Sequence, residues 1–424
     1  MAEESVLSDE FLRQLIDVGE VDLLVAVPTQ NRAATIGNAV QAVRLGLLNI
    51  FPRERAVLLL ADTGSRDGSM KLAMEASIAT FAGTKLQSLR TFHALTAECG
   101  GGADAPSFSH LLLATADLLR ARACAVIAPS ENVTPEWIGR LLAPIYRKNF
   151  DLALPLYRRH KFDGLLLRLL LYPMVSAVCG KKIHEPYCTD FGFSCRVGEE
   201  LLLNEKFPRT TDEESGAELL LVLSAVMNGF RPCEVFLGAK EDGRSTTDLV
   251  PALRQTVGTL FSFLDANSTA WTAINGSEAV PIESGALEIT TEPTRINPHR
   301  MFAMFRSGVH DLHEILSSVL SPRTLAELTA CANQSKELFH FPDDLWARII
   351  YEFAVSYHKS VISRDHIIQA LAPLYRGKIY EFLVSNRQAS APEIEARVEA
   401  ICAAFEQNKP YLLQLWNSKD GGTP

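Results

Sequence analysis

Two polar segments of the chain have the residue types and the spacing for binding chemistry. Thr29-Gln30-Asn31-Arg32 follows an apolar run over 21–27, and Asp62 follows a second apolar run over 56–61. The residues between them carry apolar side chains at helical spacing, which predicts a βαβ unit. Ligands of open α/β sheets bind at the carboxyl ends of strands, so we expect the two segments to meet there. A carboxylate at Asp62 is suited to accept hydrogen bonds from a nucleobase imide or a ribose hydroxyl.

The residues after Asp62 favour a tight turn that opens a helix. Gly64 allows the backbone to turn sharply, and Asp67 or Ser69 is suited to cap the helix that follows. A Rossmann dinucleotide site is disfavoured, because no G-x-G-x-x-G follows the first strand. From this segment alone, any other nucleotide-binding α/β domain stays an alternative.

Composition indicates a cytoplasmic enzyme. The chain has 424 residues, enough for two or three domains, and its net charge of −9 argues against general nucleic-acid binding. Its eight cysteines are scattered without a C-x-x-C pair, which is typical of buried thiols. The acidic N-terminus lacks the basic region of a secretory signal. The most apolar run, 165–178, is interrupted by Arg168 and Pro173, so we expect a buried or interfacial helix rather than a membrane span.

Periodicity divides the chain into three parts. Residues 1–265 alternate strands and helices, including a long helix within 199–230. Residues 266–298 are rich in Ser, Thr, Gly and Pro, which predicts a linker or a small hairpin. Residues 299–424 are mostly helical, with candidate helices at 299–320, 323–338, 343–358, 364–384 and 391–416.

The order of these motifs resembles that of a known family. Pro28-x-x-Asn31, a helix, a strand and then Asp62-x-Gly64-Ser65-x-Asp67-Gly68-Ser69 look like the start of a GT-A fold glycosyltransferase. Over roughly residues 20–265 the chain resembles the glucosyl-3-phosphoglycerate synthase and mannosylglycerate synthase group. The matching downstream blocks are Pro155 to Gly164, Glu185-Pro186, Asp190 to Ser194, Phe236 to Lys240 and Arg254-Gln255.

The resemblance implies a fold and an activity. The fold is a GT-A mixed α/β sheet domain with a C-terminal, mostly helical domain through which the protein forms a homodimer. The activity is retaining transfer of a hexose from a nucleotide-diphospho-sugar, such as UDP-glucose or GDP-mannose, to glycerate or 3-phosphoglycerate. The alternative is a catalytically impaired relative that binds a nucleotide sugar or a protein partner without turnover. A nucleotidyltransferase is disfavoured, because a Gly-rich loop with Arg and Lys would follow its first strand.

The resemblance also implies roles for individual residues. Glu218 and Asp190 would orient the acceptor and the sugar, although a glutamate at a helix N-terminus also serves as simple dipole capping. The acceptor would contact a basic cluster that consists of Arg158, Arg159, His160 and Lys161. The alternative interpretation of this cluster is a solvated turn. The nucleotide sugar would meet Pro28, Thr29, Asn31, Asp62, Gly64, Gly101, Gly102 and Lys240.

The metal motif of such enzymes is degraded here. An Asp-x-Asp normally ends a central strand and holds Mg²⁺ or Mn²⁺, but this chain reads Ala128-Pro129-Ser130-Glu131-Asn132. The histidine expected after Lys240 is also missing, and Asp242 is the nearest ligand type. Glu131 and Asp242 are therefore the metal-ligand candidates, with ordinary solvated acids as the alternative. We expect weak or absent metal binding, with Lys240 and the basic cluster stabilising the leaving group.

Overall fold

The computed structural model describes residues 7–78, 92–99, 106–205, 207–209, 216–239, 249–292 and 298–418. Four predicted site residues lie outside these ranges: Gly101, Gly102, Lys240 and Asp242. The chain divides into two compact units. The sheet unit comprises Met1–Tyr157, Cys188–Glu241 and Val280–Leu287. The helical unit comprises Arg158–Tyr187, Asp242–Ala279 and Glu288–Pro424.

The secondary structure of the described residues is mixed. The strands are β1 (Leu23–Thr29), β2 (Ala56–Asp62), β3 (Phe92–Glu98), β4 (Ala123–Val126), β5 (Leu152–His160), β6 (Lys181–Lys182), β7 (Phe191–Ser194), β8 (Pro232–Ala239), β9 (Glu278–Ala279), β10 (Ile282–Ser284) and β11 (Ile289–Thr290). The helices are α1 (Asp9–Val18), α2 (Ile36–Ile50), α3 (Ser69–Ile78), α4 (Phe108–Leu118), α5 (Pro135–Lys148), α6 (Tyr172–Cys179), α7 (Cys195–Leu203), α8 (Ala217–Met227), α9 (Leu249–Leu253), α10 (Thr259–Ala266), α11 (Ser268–Trp271), α12 (His299–Asp311), α13 (His313–Val319), α14 (Pro322–Ala332), α15 (Asp343–Lys359), α16 (Arg364–Ser385) and α17 (Ala391–Asn417). Two π-helical turns, Leu167–Leu171 and Arg254–Gly258, precede α6 and α10.

The sheet unit is built around a mixed sheet. Its strand order is β10-β8-β5-β7-β4-β1-β2-β3, with β1 parallel to both β2 and β4. β7 is antiparallel to both of its neighbours, β4 and β5. The strands β1 and β2 are apolar and buried on both faces, which is typical of parallel strands covered by helices. The predicted α/β class with a helical C-terminal region is therefore confirmed.

Two glycines allow helices to pack closely in the sheet unit. A Cβ atom on Gly192 of β7 would lie 2.6 Å from the carbonyl oxygen of Leu141 in α5. A Cβ on Gly46 of α2 would lie 2.5 Å from the carbonyl oxygen of Pro135, at the start of α5. Side chains at these two positions would overpack the interior. Gly192 belongs to the Asp190 to Ser194 block, so part of that block serves packing.

The segment predicted to hold one long helix forms two helices instead. Helix α7 ends at Leu203, and α8 starts at Ala217 after Gly216, whose φ of 79° is left-handed. An α-helix does not run through such a residue. Glu218 therefore stands in the first turn of a new helix, as the sequence predicted.

In the described part of the segment 266–298, the short strands do not pair with one another. Its three short strands each pair with a different strand: β9 with β6, β10 with β8 and β11 with β5, all in parallel. Strands of two or three residues have too few side chains to reveal their pairing in the sequence.

The helical unit has a core of long helices. Helix α15 is buried on all sides over 345–357, and its buried charges Arg348 and Glu352 both bond to the Thr324 hydroxyl. Helix α17 begins with a capping box between Ser390 and Glu393. Residues 158–187 and 242–279 also belong to this unit, so its limits differ from the boundary expected near residue 265. The predicted division of the chain at residues 265 and 298 stays a prediction. None of the described helices is both long enough and apolar enough to cross a membrane.

Candidate functional site

The two predicted polar segments lie side by side where β1 and β2 end. Thr29 and Asp62 are paired in the parallel register of these strands. The backbone N–H of Thr63 donates to the carbonyl oxygen of Thr29 at 2.9 Å, and the Thr63 hydroxyl donates to the same oxygen at 3.1 Å. We call residues 30–35 and 63–69 together the loop platform. The side chain of Thr29 is only 1% exposed, so this residue positions the platform through its carbonyl rather than through its hydroxyl.

Asn31 links the two halves of the loop platform. Its backbone N–H donates to the Ser65 hydroxyl at 3.1 Å, and its side-chain oxygen accepts from the backbone N–H of Arg66 at 2.9 Å. Asn31 has a φ of 52°, a left-handed conformation that asparagine tolerates better than most residues. The side-chain oxygen of this predicted nucleotide ligand is thus already used to shape the site.

A second set of contacts fixes the outer part of the loop platform. The backbone N–H of Arg32 donates to the Ser69 hydroxyl at 2.7 Å, and that of Ala33 donates to the Asp67 carboxylate at 3.0 Å. The Ser69 hydroxyl also donates to Asp67. These hydrogen bonds, first from the Ser69 side chain and then from the Ala33 backbone, lower the pKa of Asp67. Asp67 and Ser69 therefore tie the loops together in addition to opening α3.

Asp62 is the carboxylate that the loop platform presents. It is half-buried, and its Oδ1 accepts from the backbone N–H of Ser65 at 3.0 Å. Among the described residues no donor faces its Oδ2. A half-buried carboxylate with one oxygen held and the other unused is suited to accept an N–H or O–H from a ligand. Pro28 and Gly64 are uncharged and lie near this position along the chain. Pro28 is half-buried, and Gly64 is exposed with a φ of 94°.

Asp190 holds the loop that follows β4. Its carboxylate is 1% exposed. One oxygen accepts from the backbone N–H of Ala128 at 2.8 Å, and the other accepts from the Tyr157 hydroxyl at 2.6 Å. Because both oxygens are engaged, the geometry favours a positioning role for Asp190 over direct contact with a substrate. Sequence reasoning placed Tyr157 only within the Pro155 to Gly164 block and did not predict its contact with Asp190.

The described residues do not fit a protein-held metal site. Glu131 is exposed in the loop after β4, and no cluster of three or more metal-ligating side chains occurs within the described ranges. A single carboxylate meets only the minimum that Mg²⁺ requires when substrate phosphates supply the other ligands. The second candidate, Asp242, lies outside the described residues. We therefore derive no chemical step through a metal.

Glu218 is half-buried in the first turn of α8, directly after Gly216 and Ala217. The remainder of this helix is apolar and largely buried, so Glu218 marks a polar end of a core element. A carboxylate there interacts favourably with the helix dipole. Both predicted roles, orienting a substrate and capping the helix, are consistent with this position.

The four members of the basic cluster have different surroundings. Arg159 is 7% exposed and forms a bidentate ion pair with Glu185, with N–O distances of 2.7 and 3.0 Å. Lys161 is 4% exposed and donates to the carbonyl oxygens of Arg387 and Ala389 at 2.9 and 3.0 Å. These contacts count against direct acceptor binding by Arg159 and Lys161, since both charges are already engaged within the helical unit. Sequence spacing could not reveal this, because Glu185 and Arg387 are remote along the chain.

The other two members of the basic cluster are more accessible. Arg158 is 48% exposed and pairs with Glu288, which is 47% exposed, at 2.8 Å. An exposed pair of this kind is weak and exchanges readily with solvent or a ligand. The Nε2 atom of His160 lies 3.0 Å from the carbonyl oxygen of Glu292. Arg158 thus remains the member of the cluster that is best suited to meet an anion, because the second ring nitrogen of His160 is also engaged and accepts from the backbone N–H of Phe162 at 3.3 Å.

Comparison with known proteins gives only distant likenesses. No protein-family model and no curated protein sequence matches the chain. Glucosyl-3-phosphoglycerate synthase from Mycobacterium tuberculosis in complex with phosphoglyceric acid is 16% identical, with a TM-score of 0.41 over 60% of this chain and 82% of that chain. The same enzyme with Mg²⁺ and uridine diphosphate is 16% identical, with a TM-score of 0.42 over the same shares. At this identity and TM-score we draw no functional conclusion from the likeness.

Proposed function

We propose that this protein is a nucleotide-sugar-dependent glycosyltransferase. The observation that carries the proposal is the unused oxygen of Asp62 on a loop platform that is already fixed at the carboxyl ends of β1 and β2. In open α/β sheets this is where nucleotides bind. Several sequence blocks resemble the glucosyl-3-phosphoglycerate synthase group. This resemblance indicates that the nucleotide carries a sugar.

The hydrogen bonds within the loop platform hold it in place before a base or ribose binds. Backbone groups of Asn31, Arg32 and Ala33 are held by side chains of the neighbouring loop without any ligand. A site fixed in advance spends less free energy on ordering when the ligand arrives. Asp62 would accept a hydrogen bond from the nucleoside, and Asp190 would keep the loop after β4 in place beside the diphosphate.

The finer proposal concerns the reaction. We propose retaining transfer of a hexose from a UDP- or GDP-sugar to glycerate or 3-phosphoglycerate. Arg158, the most accessible member of the basic cluster, would attract the acceptor's anionic group, and Glu218 would orient the acceptor hydroxyl. Lys240 would offset the charge that develops on the departing diphosphate. Preorganised contacts of this type typically contribute about 10²- to 10³-fold in rate.

A second candidate function is a relative that binds a nucleotide sugar without turnover. The observation that favours it is the loop after β4, where Glu131 is the single acidic residue in place of the expected pair. Such a protein would keep the Asp62 site and lack the means to stabilise the leaving group.

The two candidates are separated by a transfer assay with UDP-glucose or GDP-mannose and 3-phosphoglycerate. If the protein is an enzyme, product forms, the rate largely survives EDTA, and Lys240→Ala lowers it by about 10²-fold or more. Lys336→Ala is the matched control, because Lys336 is an exposed lysine of the helical unit. Binding of the nucleotide sugar without product would support the impaired relative. Transfer that disappears with EDTA and returns with Mg²⁺ or Mn²⁺ would show that Glu131 and Asp242 form a working metal site.

A further inference from the structure

A second concave site lies in the sheet unit and is lined by three arginines. Arg122, Arg196 and Arg231 surround a cleft of about 470 Å³, which we call the arginine cleft. This volume lies within the range of small-molecule sites, roughly 300–1,000 Å³. The buried carboxylate of Asp151 forms part of its wall. The remaining lining residues are Ile145, Tyr146, Asn149, Phe150, Ser194 and Cys195.

The arginine cleft and the loop platform lie at opposite ends of the strands of the sheet. Arg122 directly precedes β4 and Arg231 directly precedes β8, so both stand at the amino ends of their strands. Because β4 is parallel to β1, the amino end of β4 is remote from the edge where β1 and β2 end. The antiparallel strand β7 brings Ser194 into register with Ala123, so the start of α7 reaches the same edge. The cleft is therefore separate from the candidate nucleotide site.

Aromatic rings hold two of the guanidinium groups in place. Arg122 lies 4.5 Å from the ring centre of Tyr146 and donates to its hydroxyl at 3.2 Å. Arg231 lies 5.0 Å from the ring centre of Phe150 and donates to the carbonyl oxygen of Asn149 at 3.3 Å. Contacts of this kind orient a guanidinium without neutralising its charge.

Most of the donor capacity in the arginine cleft is not used by the described residues. Arg122, Arg196 and Arg231 each engage a single terminal nitrogen in hydrogen bonds to described residues, although a guanidinium has five N–H donors. Arg122 and Arg196 are each 61% exposed, so their remaining donors are accessible from the cleft. Guanidinium groups with free N–H pairs match the oxygens of a phosphate bidentately.

The charge balance of the arginine cleft favours an anion. Its lining holds three guanidinium groups and one carboxylate, and the Asp22 carboxylate, 3.5 Å from Arg122, leaves one net positive charge. Asp151 is saturated by protein donors: it accepts from the Ser194 hydroxyl at 3.0 Å, from the Arg231 backbone N–H at 3.0 Å and from Arg196. The first residues of α7, a helix of nine residues, line the cleft and add the positive end of the helix dipole.

We propose that the arginine cleft is a second ligand site that binds a phosphate group, either free or carried by a small organic molecule. Three guanidinium groups from separate segments converge on one cleft, and the only carboxylate in its described lining is already satisfied. The site would be distinct from the nucleotide site, because it is remote from the sheet edge that presents Asp62. The strands β5 and β7 run between the two edges, since Asp151 and Ser194 stand at one end and Tyr157 and Asp190 at the other.

The test uses the full-length protein and two probes, inorganic phosphate and phenyl phosphate, in calorimetry at low ionic strength. We expect both to bind, with at least tenfold weaker binding to the double variant Arg122→Gln/Arg231→Gln. Arg323→Gln, which changes a 78% exposed arginine of the helical unit, should bind as the wild type does. Matching thermal unfolding of all variants would show that the fold is intact, and saturating UDP should leave the binding of both probes unchanged.

The organic part of the ligand is resolved by comparing the probes. Phenyl phosphate that binds more tightly than inorganic phosphate identifies an organic phosphate whose ring meets Tyr146 and Phe150, and equal affinity identifies free phosphate. The proposal is overturned if neither probe binds the wild type, or if the double variant binds both as tightly as the wild type. Displacement of both probes by UDP would also overturn it, because the phosphate would then occupy the nucleotide site. None of these outcomes depends on sugar transfer.

Discussion

Replacing Asp190 by alanine should destabilise the protein strongly. The buried carboxylate accepts from the Ala128 backbone N–H at 2.8 Å and from the Tyr157 hydroxyl at 2.6 Å. A hydrogen bond to a charged group contributes about 1.5–3 kcal/mol. Losing two of them therefore lowers the free energy of unfolding by about 3–6 kcal/mol, if the site does not rearrange. The change would also release the loop after β4.

A double-mutant cycle with Tyr157→Phe isolates the central contact. Tyr157→Phe alone should cost about 1.5–3 kcal/mol, because it removes one donor from a buried carboxylate. In the Asp190→Ala background the same change should cost little, since the hydroxyl has already lost its acceptor. The coupling energy should therefore be about 1.5–3 kcal/mol, within the range of residues in direct contact.

Urea unfolding of the wild type, both single variants and the double variant measures this coupling. Equal m-values across the four proteins are needed for the comparison. Additive effects, or an Asp190→Ala variant as stable as the wild type, would refute the positioning role. If Asp190 contacts a substrate directly instead, Asp190→Ala should abolish transfer while leaving stability intact, and Tyr157→Phe should leave transfer unchanged.

Three further predictions follow from the helical unit. Lys409 is 5% exposed, and burial lowers its pKa from 10.5 to about 8. The unfolded chain binds this proton more tightly than the folded protein does, so the buried lysine lowers the free energy of unfolding below about pH 8. This destabilisation disappears as the pH rises toward 10.5. Urea unfolding should show the wild type gaining about 3 kcal/mol over Lys409→Met across that window; a constant difference would contradict this. Lys378 is fully buried and bonds Asp343 and Glu381 at 2.7 and 3.0 Å, so Lys378→Met should cost about 3–5 kcal/mol, whereas the exposed control Lys336→Met should cost under about 0.5 kcal/mol. Light scattering at micromolar concentration should give the mass of a homodimer; a monomer would contradict the predicted assembly.

Hydrophobic periodicity predicted the elements that bury a continuous apolar face. The strands β1 and β2, the helix between them and the long helices α15, α16 and α17 lie within a few residues of their expected limits. Each is long enough for its pattern to exceed local noise. The four residues of β7 carry no such pattern, and its antiparallel pairing depends on neighbours that are distant in sequence.

The candidate site was predictable in its position but only partly in its chemistry. The location of Asp62 follows from the end of an apolar strand, which is a local property. The engagement of Arg159 by Glu185 and of Asp190 by Tyr157 depends on tertiary contacts, which spacing does not encode. The presence of a basic or acidic residue in one of these sequence blocks therefore does not show whether its side chain contacts a ligand or another part of the protein.

The most direct test of the proposed function is calorimetric binding of UDP and GDP to the wild type and to Asp62→Ala. A hydrogen bond from a nucleoside to a half-buried carboxylate is worth about 1.5–3 kcal/mol, so Asp62→Ala should weaken binding of the preferred nucleotide about 10- to 150-fold. Asp17→Ala, at an exposed aspartate of α1, should bind as the wild type does. Failure of the wild type to bind either nucleotide, or equal affinity in Asp62→Ala, would contradict the assignment of the loop platform as a nucleotide-sugar site.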